Sequence, residues 1–312
     1  MIAGNLFYDK GAKAMQKQAK GSIILLLCAM IWGAAFVAQS EGMNYIGPFT
    51  MQATRYFLSG LVLLPVIFLR DKKGVSARPA PGKAARRQLL CGVICGVILC
   101  TASLIQQYGI IYTTVGKSGF ITTMYIILVP FLGIFVKLRV KLINWVCAFL
   151  AVAGLYLLAG TKGLSNVNVG DWLTLLCAFF FAIHILFIDR ACHDLDGVRL
   201  SCTQFFTASL VSVLPMLLLE KPSFSEICTA WLPIVYAGVM SGGVGYTLQI
   251  LGQQKVAPTL ASMILSLESV FAALFGWVLL HEALRAKELL GCAVIFAAII
   301  IAQLPEKNAQ NA

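Results

Sequence analysis

The sequence predicts an all-α membrane protein of ten transmembrane helices, arranged as two inverted-topology repeats of five. Three observations carry that expectation. The 312 residues are 59% hydrophobic and only 12% charged, with a mean hydropathy of +0.86; a soluble domain carries about a quarter charged residues. Ten windows are apolar enough to cross a bilayer, for which about 20 residues suffice. The last five windows also echo the first five.

In chain order the windows fall at roughly 21–40, 48–69, 88–110, 115–136, 142–160, 171–188, 200–219, 230–251, 258–280 and 286–304. The first follows a basic leader, residues 1–20. Its apolar run exceeds the ~7–15 residues of a signal-peptide core, so it is expected to remain as the first span. A Pro-rich basic stretch, RDKKGVSARPAPGKAARR at 70–87, separates the second and third windows. A second break, GTKGLSNVNVGD at 160–171, divides the chain into five spans plus five. The expected organisation is an N-terminal segment 1–20, a first repeat 21–160, a second repeat 171–304 and a tail 305–312.

The net charge of +11 orients the chain. With the N-terminus inside, the cytoplasmic segments hold 18 of the 24 Lys and Arg and the opposite side five, Arg55 lying within a span. That is the positive-inside pattern, which places both termini in the cytoplasm of a multi-pass protein of the inner or plasma membrane. Basic residues scattered over loops make no nucleic-acid footprint.

The halves share a register. LLCAMIWGAAF at 26–36 and LLCAFFFAIHI at 175–185 open the two sets alike. Gly92, Gly96 and Gln107 in the third span match Gly238, Gly242 and Gln253 in the eighth, each pair 146 residues apart. Five is odd, so the second copy enters from the opposite side, as in transporters that rock one half against the other. Each Gly-x-x-x-Gly pair puts two small residues on one face, where helix backbones pack closely in lipid.

Polar groups inside apolar spans are the candidate functional residues. Glu268 lies in SMILSLESVFAALFGWVLLHE, 262–282. Counted from position 258 at about 1.5 Å per residue, it sits roughly 15 Å deep, near the midplane. On an ideal helix Ser262, Ser266, Ser269, Ala273 and Gly276 form a small-residue seam, and Glu268 falls on a different face. A carboxylate there must be protonated, paired or solvated by a cavity. Three readings stay open: contact with a cation or coupling proton, a structural acid, or a pair with Arg55. Arg55 shares a polar face with Gln52, Tyr56 and Ser59; it can snorkel to the outer interface or bind an anionic group. His184 can relay protons or pack as a hydrogen-bonded core residue. Trp32, Gln107, Tyr125, Tyr246 and Gln249 suit a cavity for mixed substrates, and equally packing or an interface belt.

Several motifs fail. GKSG at 116–119 lacks the Gly of a Walker A loop, since residue 111 is Ile. HExxH, GxSxG and CxxC are absent, and three His residues leave hydrolase chemistry without its parts. Cys91 and Cys95 share a helix face, but no His or further thiol has ligand spacing. The ten cysteines, most within spans, read as small apolar packing residues. No metal or other cofactor is expected.

IWGAAFVAQ at 31–39, QQYGIIYTTVGKSGFITTMYIILVPFLGIF at 106–135, LQILGQQKVAPTLASMILSLESVFAALFGWVLLHE at 248–282 and GCAVIFAAIIIAQL at 291–304 resemble the drug/metabolite transporter superfamily. The resemblance is to its EamA-type, ten-span members with two tandem EamA domains, and covers roughly 20–304. It implies a secondary transporter of small metabolites, amino-acid-like or drug-like, with a central cavity between the halves. Two departures stand out: Glu268-Ser269 replaces the family's Glu-Pro, and KLRVKL at 137–142 lacks the acid that the second half keeps as His281-Glu282. The expected function is export by alternating access, with a proton as the candidate coupling ion. The alternative is a membrane-embedded enzyme acting on a lipid or isoprenoid. Substrate, direction and oligomeric state are not legible.

Overall fold

The computed structural model describes residues 2–75, 79, 81–113, 115–159, 168–280 and 286–303. The tail 305–312 and the family's His281-Glu282 lie outside them. The described segments fold as helices: α1 (Ile2–Gly42), α2 (Pro48–Lys72), α3 (Lys83–Tyr112), α4 (Val115–Thr122), α5 (Tyr125–Phe135), α6 (Leu142–Ala159) and α7 (Val169–Ala191). The second half continues with α8 (Gly197–Pro215), α9 (Phe224–Thr229), α10 (Trp231–Val235), α11 (Thr247–Gln253), α12 (Pro258–Leu265), α13 (Glu268–Leu280) and α14 (Ala286–Gln303). A π-helical stretch, Tyr236–Tyr246, joins α10 to α11. The leader is helical and runs into the first span without interruption.

Among the described residues, nine segments are long and apolar enough to span a membrane. The expected fifth span is the short member: its apolar part is Leu142–Leu157. At about 1.5 Å per residue the 18 residues of α6 reach about 27 Å, slightly under a ~30 Å hydrocarbon core.

Three expected spans are interrupted along their length, and the seventh ends in a short π-helical stretch, Met216–Glu220. The fourth breaks at Thr123–Met124, the ninth at Ser266–Leu267, and the eighth widens into the π stretch. Hydroxyls accompany both breaks: Thr123 donates to Phe120 O at 2.8 Å and Ser266 to Met263 O at 2.7 Å. Such side chains compete with the backbone ladder for the same carbonyls. The ideal-helix seam drawn through Ser262 and Ser269 is therefore interrupted, and Glu268 opens α13 instead of lying mid-helix.

The pairing of helices repeats between halves. α1 packs on the π stretch and α11 as α7 packs on α3, and α2 packs on the π stretch as α8 packs on α3. α2 with α8, and α6 with α14, form the self-paired contacts. Two contacts join positions 146 apart, like the sequence register. The Phe206 ring lies 2.8 Å from where a Gly60 Cβ would sit, and Ser269 Oγ donates to Thr123 Oγ1 at 3.3 Å. Equivalent residues that touch each other mark a pseudo-two-fold axis.

The paired glycines sit at tight helix crossings. A Cβ at Gly92 would come within 2.6 Å of Thr203, and one at Gly96 within 2.6 Å of the Gln204 carbonyl. In the other half a Cβ at Gly238 would meet Arg55 O at 2.9 Å, and one at Gly242 would overlap Ser59 Oγ. Cys192, at the end of α7, packs its Sγ 4.0 Å from Cys95 Sγ. Among the described residues no group of three or more His, Cys, Asp or Glu is placed to hold a metal.

The ends are tied across the halves as well. Glu220 accepts Phe49 N at 2.8 Å, Thr50 N at 2.7 Å and Thr50 Oγ1 at 2.6 Å, capping α2 with an acid from the far half. At the opposite helix ends Arg87 makes a bidentate pair with Asp194 at 2.7 and 2.9 Å, Arg70 lies 3.4 Å from Asp196, and Arg199 pairs with Asp71. The Arg87 guanidinium holds the Asp194 carboxyl below the usual carboxylate range. That contact is present at neutral pH and is lost only as pH falls through the depressed value.

Replacing Gly96 by Val is expected to lower the melting temperature, since overpacking costs about 1–3 kcal/mol. Gly119→Ala, where no atom lies nearer than 4.0 Å, is expected to leave it unchanged or raised. Scanning fluorimetry of the purified proteins checks both.

Candidate functional site

A narrow cavity lies between the halves, lined from the first by Trp32, Gln39, Arg55, Gln106, Thr122 and Tyr125, and from the second by Phe181, Ser241, Tyr246, Gln249 and Glu268. Its volume of about 30 Å³ holds one or two water molecules. The lining combines one cationic side chain, one acidic side chain, aromatic faces and amides.

Arg55 and Glu268 are both buried, at 3% and 4% exposure. Arg55 donates to Gln39 Oε1 at 2.7 Å and to the Tyr56 hydroxyl at 3.2 Å, with its guanidinium 4.6 Å from the Tyr56 ring centre. Its Nε has no hydrogen-bond partner among the described residues. Arg55 thus turns inward and does not snorkel. Tyr125 donates its hydroxyl to Glu268 Oε1 at 3.0 Å. No ion pair joins Arg55 to Glu268 among the described residues; each is held separately by neutral groups.

The local backbone places Glu268. The break at Ser266–Leu267 makes it the first residue of α13, where the positive end of the helix favours a carboxylate. Gly33 of α1 lets the two helices close: a Cβ there would stand 2.9 Å from Glu268 O and 2.8 Å from Ala272 N. The close approach therefore runs along the Glu268 face, contrary to the expectation from the serine seam. The glycine that permits it belongs to the partner helix, which helical periodicity of one span cannot reveal.

Of the expected residues, Trp32, Arg55, Tyr125, Tyr246, Gln249 and Glu268 converge on the cavity. Trp32 donates to Ser241 O at 3.2 Å, and its ring lies 4.6 Å from that of Tyr246. His184 stands behind Tyr246, rings 6.3 Å apart, and pairs with Gln204 at 3.2 Å. Gln107 is fully buried outside the cavity, its amide without partners among the described residues. Its neighbour Gln106 faces inward instead and donates to Thr122 at 3.2 Å; one residue is about 100° of helix rotation.

Sequence reasoning missed Gln39, Gln106, Thr122 and Ser241. Thr122 alone had a signal, because it lies 146 residues before Glu268 in the repeat register. Gln39 is set one turn past Ala35, whose carbonyl accepts its amide at 3.3 Å, and only the tertiary placement of α2 brings Arg55 to it.

Comparison with known proteins places the chain in context. The description EamA-like transporter family matches residues 19–160 and again 168–303. An "Uncharacterized transporter" of Archaeoglobus fulgidus is 29% identical over 95% of this chain and 90% of its own length. YoaV, an uncharacterized transporter of Bacillus subtilis, is 21% identical over 89% of this chain and 94% of its own. YedA, an uncharacterized inner membrane transporter of Escherichia coli, is 23% identical over 88% of each. One crystal structure, at 17% identity, matches 91% of this chain and 96% of its own with a TM-score of 0.74. That likeness concerns the fold.

A double-mutant cycle on Tyr125→Phe and Glu268→Leu is expected to show a coupling of about 0.5–1.5 kcal/mol, the net worth of a hydrogen bond. Unfolding of the two single variants and the double variant measures it, and strictly additive effects would dissolve the pairing.

Proposed function

Because the chain belongs to the EamA-like transporter family and is a multi-pass membrane protein, we propose that it is a secondary transporter that exports small amino-acid-like or drug-like solutes by alternating access. One observation carries the reading: a buried guanidinium and a buried carboxylate line a single cavity between two repeats. In lipid such groups face the protein interior and mark solute or ion pathways.

In this reading the repeats are 21–160 and 171–304, and both termini lie in the cytoplasm of the cell membrane. The 18-to-5 split of basic residues supports the orientation. Rocking of one repeat against the other exposes the cavity to each side in turn. Glu268 receives a cationic group of the solute or a coupling proton, and Arg55 receives an anionic group. Trp32 and Tyr246 present aromatic faces between them, with Gln249 as an amide partner. The narrowness of the cavity fits an occluded or empty conformer. The solute leaves chemically unchanged, which separates the carrier from a lipid- or isoprenoid-modifying enzyme.

Counterflow in proteoliposomes, across a panel of amino acids and cationic drugs, tests the reading. Exchange of unaltered solute is expected. Chemical conversion, or no flux of any candidate, counts against it.

Glu268→Gln is expected to abolish transport driven by a pH gradient while leaving expression and counterflow-competent folding intact. Unchanged coupling in that variant removes Glu268 from the mechanism.

A further inference from the structure

We propose that Cys95 and Cys192 are an oxidation site, which a peroxide converts into a reversible disulfide joining the two halves where Arg87 grips Asp194. The two sulfurs lie 4.0 Å apart, both fully buried, one on α3 of the first half and one at the C-cap of α7 in the second. Cys91, one turn before Cys95, is 8% exposed and donates its thiol to Ala191 O at 3.8 Å. The three share a small core with Ile188, Leu200 and Ile250. Four other buried thiols meet oxygen instead: Cys28 the Gly245 carbonyl, Cys202 the Gly60 carbonyl, Cys100 the Ser212 hydroxyl and Cys177 the Thr122 hydroxyl.

Cys192 is the nucleophile. Its backbone is pinned on both sides, its N–H donating to Ile188 O at 3.1 Å and its carbonyl accepting from Gln254 Nε2 at 3.3 Å. The thiols of Cys95 and Cys91 and the Arg87 guanidinium hold the Cys192 thiol below its ordinary value, against the opposing effect of burial. The thiolate is the reactive form. It attacks one oxygen of hydrogen peroxide, the O–O bond breaks, and the departing hydroxide takes the thiol proton as water, leaving a sulfenic acid on Cys192. Cys95 then attacks the Cys192 sulfur, the S–O bond breaks, and a second water leaves with the Cys95 proton. The sulfurs close by about 2 Å to reach the ~2.05 Å of a disulfide.

Access comes through the segment that follows Cys192. Asp194 is held by Arg87 in a pair whose side chains are 64% and 48% exposed, and such pairs contribute little to stability. Local opening there admits a molecule the size of hydrogen peroxide; glutathione disulfide is too bulky to reach a sulfur with no exposed surface. The crosslink ties positions 97 residues apart, and closing a long loop constrains the unfolded chain strongly. In a carrier that rocks one half against the other, it also arrests transport; that consequence rests on the function proposed above.

The test uses the full-length protein carrying Cys228→Ser, which removes an exposed thiol. After hydrogen peroxide, peptide mapping by mass spectrometry without reductant is expected to find Cys95 linked to Cys192. The melting temperature is expected to rise by several degrees, and dithiothreitol to reverse both changes. Adding Cys95→Ala is expected to remove the link and the shift, leaving a sulfenic acid on Cys192 that dimedone traps. A link through Cys91 in place of Cys95, a sulfenic acid elsewhere but not on Cys192, or a shift that survives Cys95→Ala would each overturn the proposal. Counterflow reads the consequence separately: oxidation is expected to stop it in the protein with both cysteines and spare it in Cys95→Ala. Absence of counterflow before oxidation counts against the carrier alone, since mapping and melting still decide the disulfide.

Discussion

Backbone-to-backbone closeness between the two halves is the constraint on which the rest of the structure depends. In lipid there is no hydrophobic gain from bringing helices together, so van der Waals contact and buried hydrogen bonds must hold them. Here that contact is made at Gly92 and Gly96 against α8, at Gly238 and Gly242 against α2, and at Gly33 against α13. A Cβ would press on a carbonyl of the partner helix at Gly96, Gly238 and Gly33, and on a Thr or Ser side chain at Gly92 and Gly242. Because the same crossings repeat in both halves, one packing solution serves twice and leaves the cavity on the axis between them.

On that symmetric scaffold the chemistry is asymmetric. Thr122 and Glu268 occupy matching places in the register, and both line the cavity. Only the second half carries an ionisable side chain there. The guanidinium comes from the first half, on α2, where Gln39 and Tyr56 hold it. No ion pair joins the two side chains among the described residues. The support is neutral throughout: a phenol for the carboxylate, an amide and a phenol for the guanidinium. Ends are treated differently from the middle. Glu220 caps α2 and Arg87 grips Asp194 where water can reach, and exposed ion pairs there contribute little to stability.

The three helix interruptions give the site its reach. A continuous ninth span would place Glu268 mid-helix with its amide and carbonyl fully engaged. The break at Ser266–Leu267 gives it a helix start, and the break at Thr123–Met124 places Tyr125 at the start of α5 opposite it. The wide π stretch of the eighth span brings Ser241 O to Trp32 and the Tyr246 ring against it. Irregular backbone of this kind is tolerated at membrane depth because it is buried in protein or lines a cavity.

How much was legible beforehand follows from what kind of signal each feature leaves. Membrane class, span positions and the 146-residue register are written in apolar runs and repeated glycines, because each depends on residue type alone. Glu268 and Arg55 stood out for the same reason, as charges in oil. The helix breaks, the choice of Gln106 over Gln107, the Gly33 crossing and the support of Arg55 by Gln39 left no such trace. Each depends on the rotation and approach of a neighbouring helix, which only the packed tertiary structure decides.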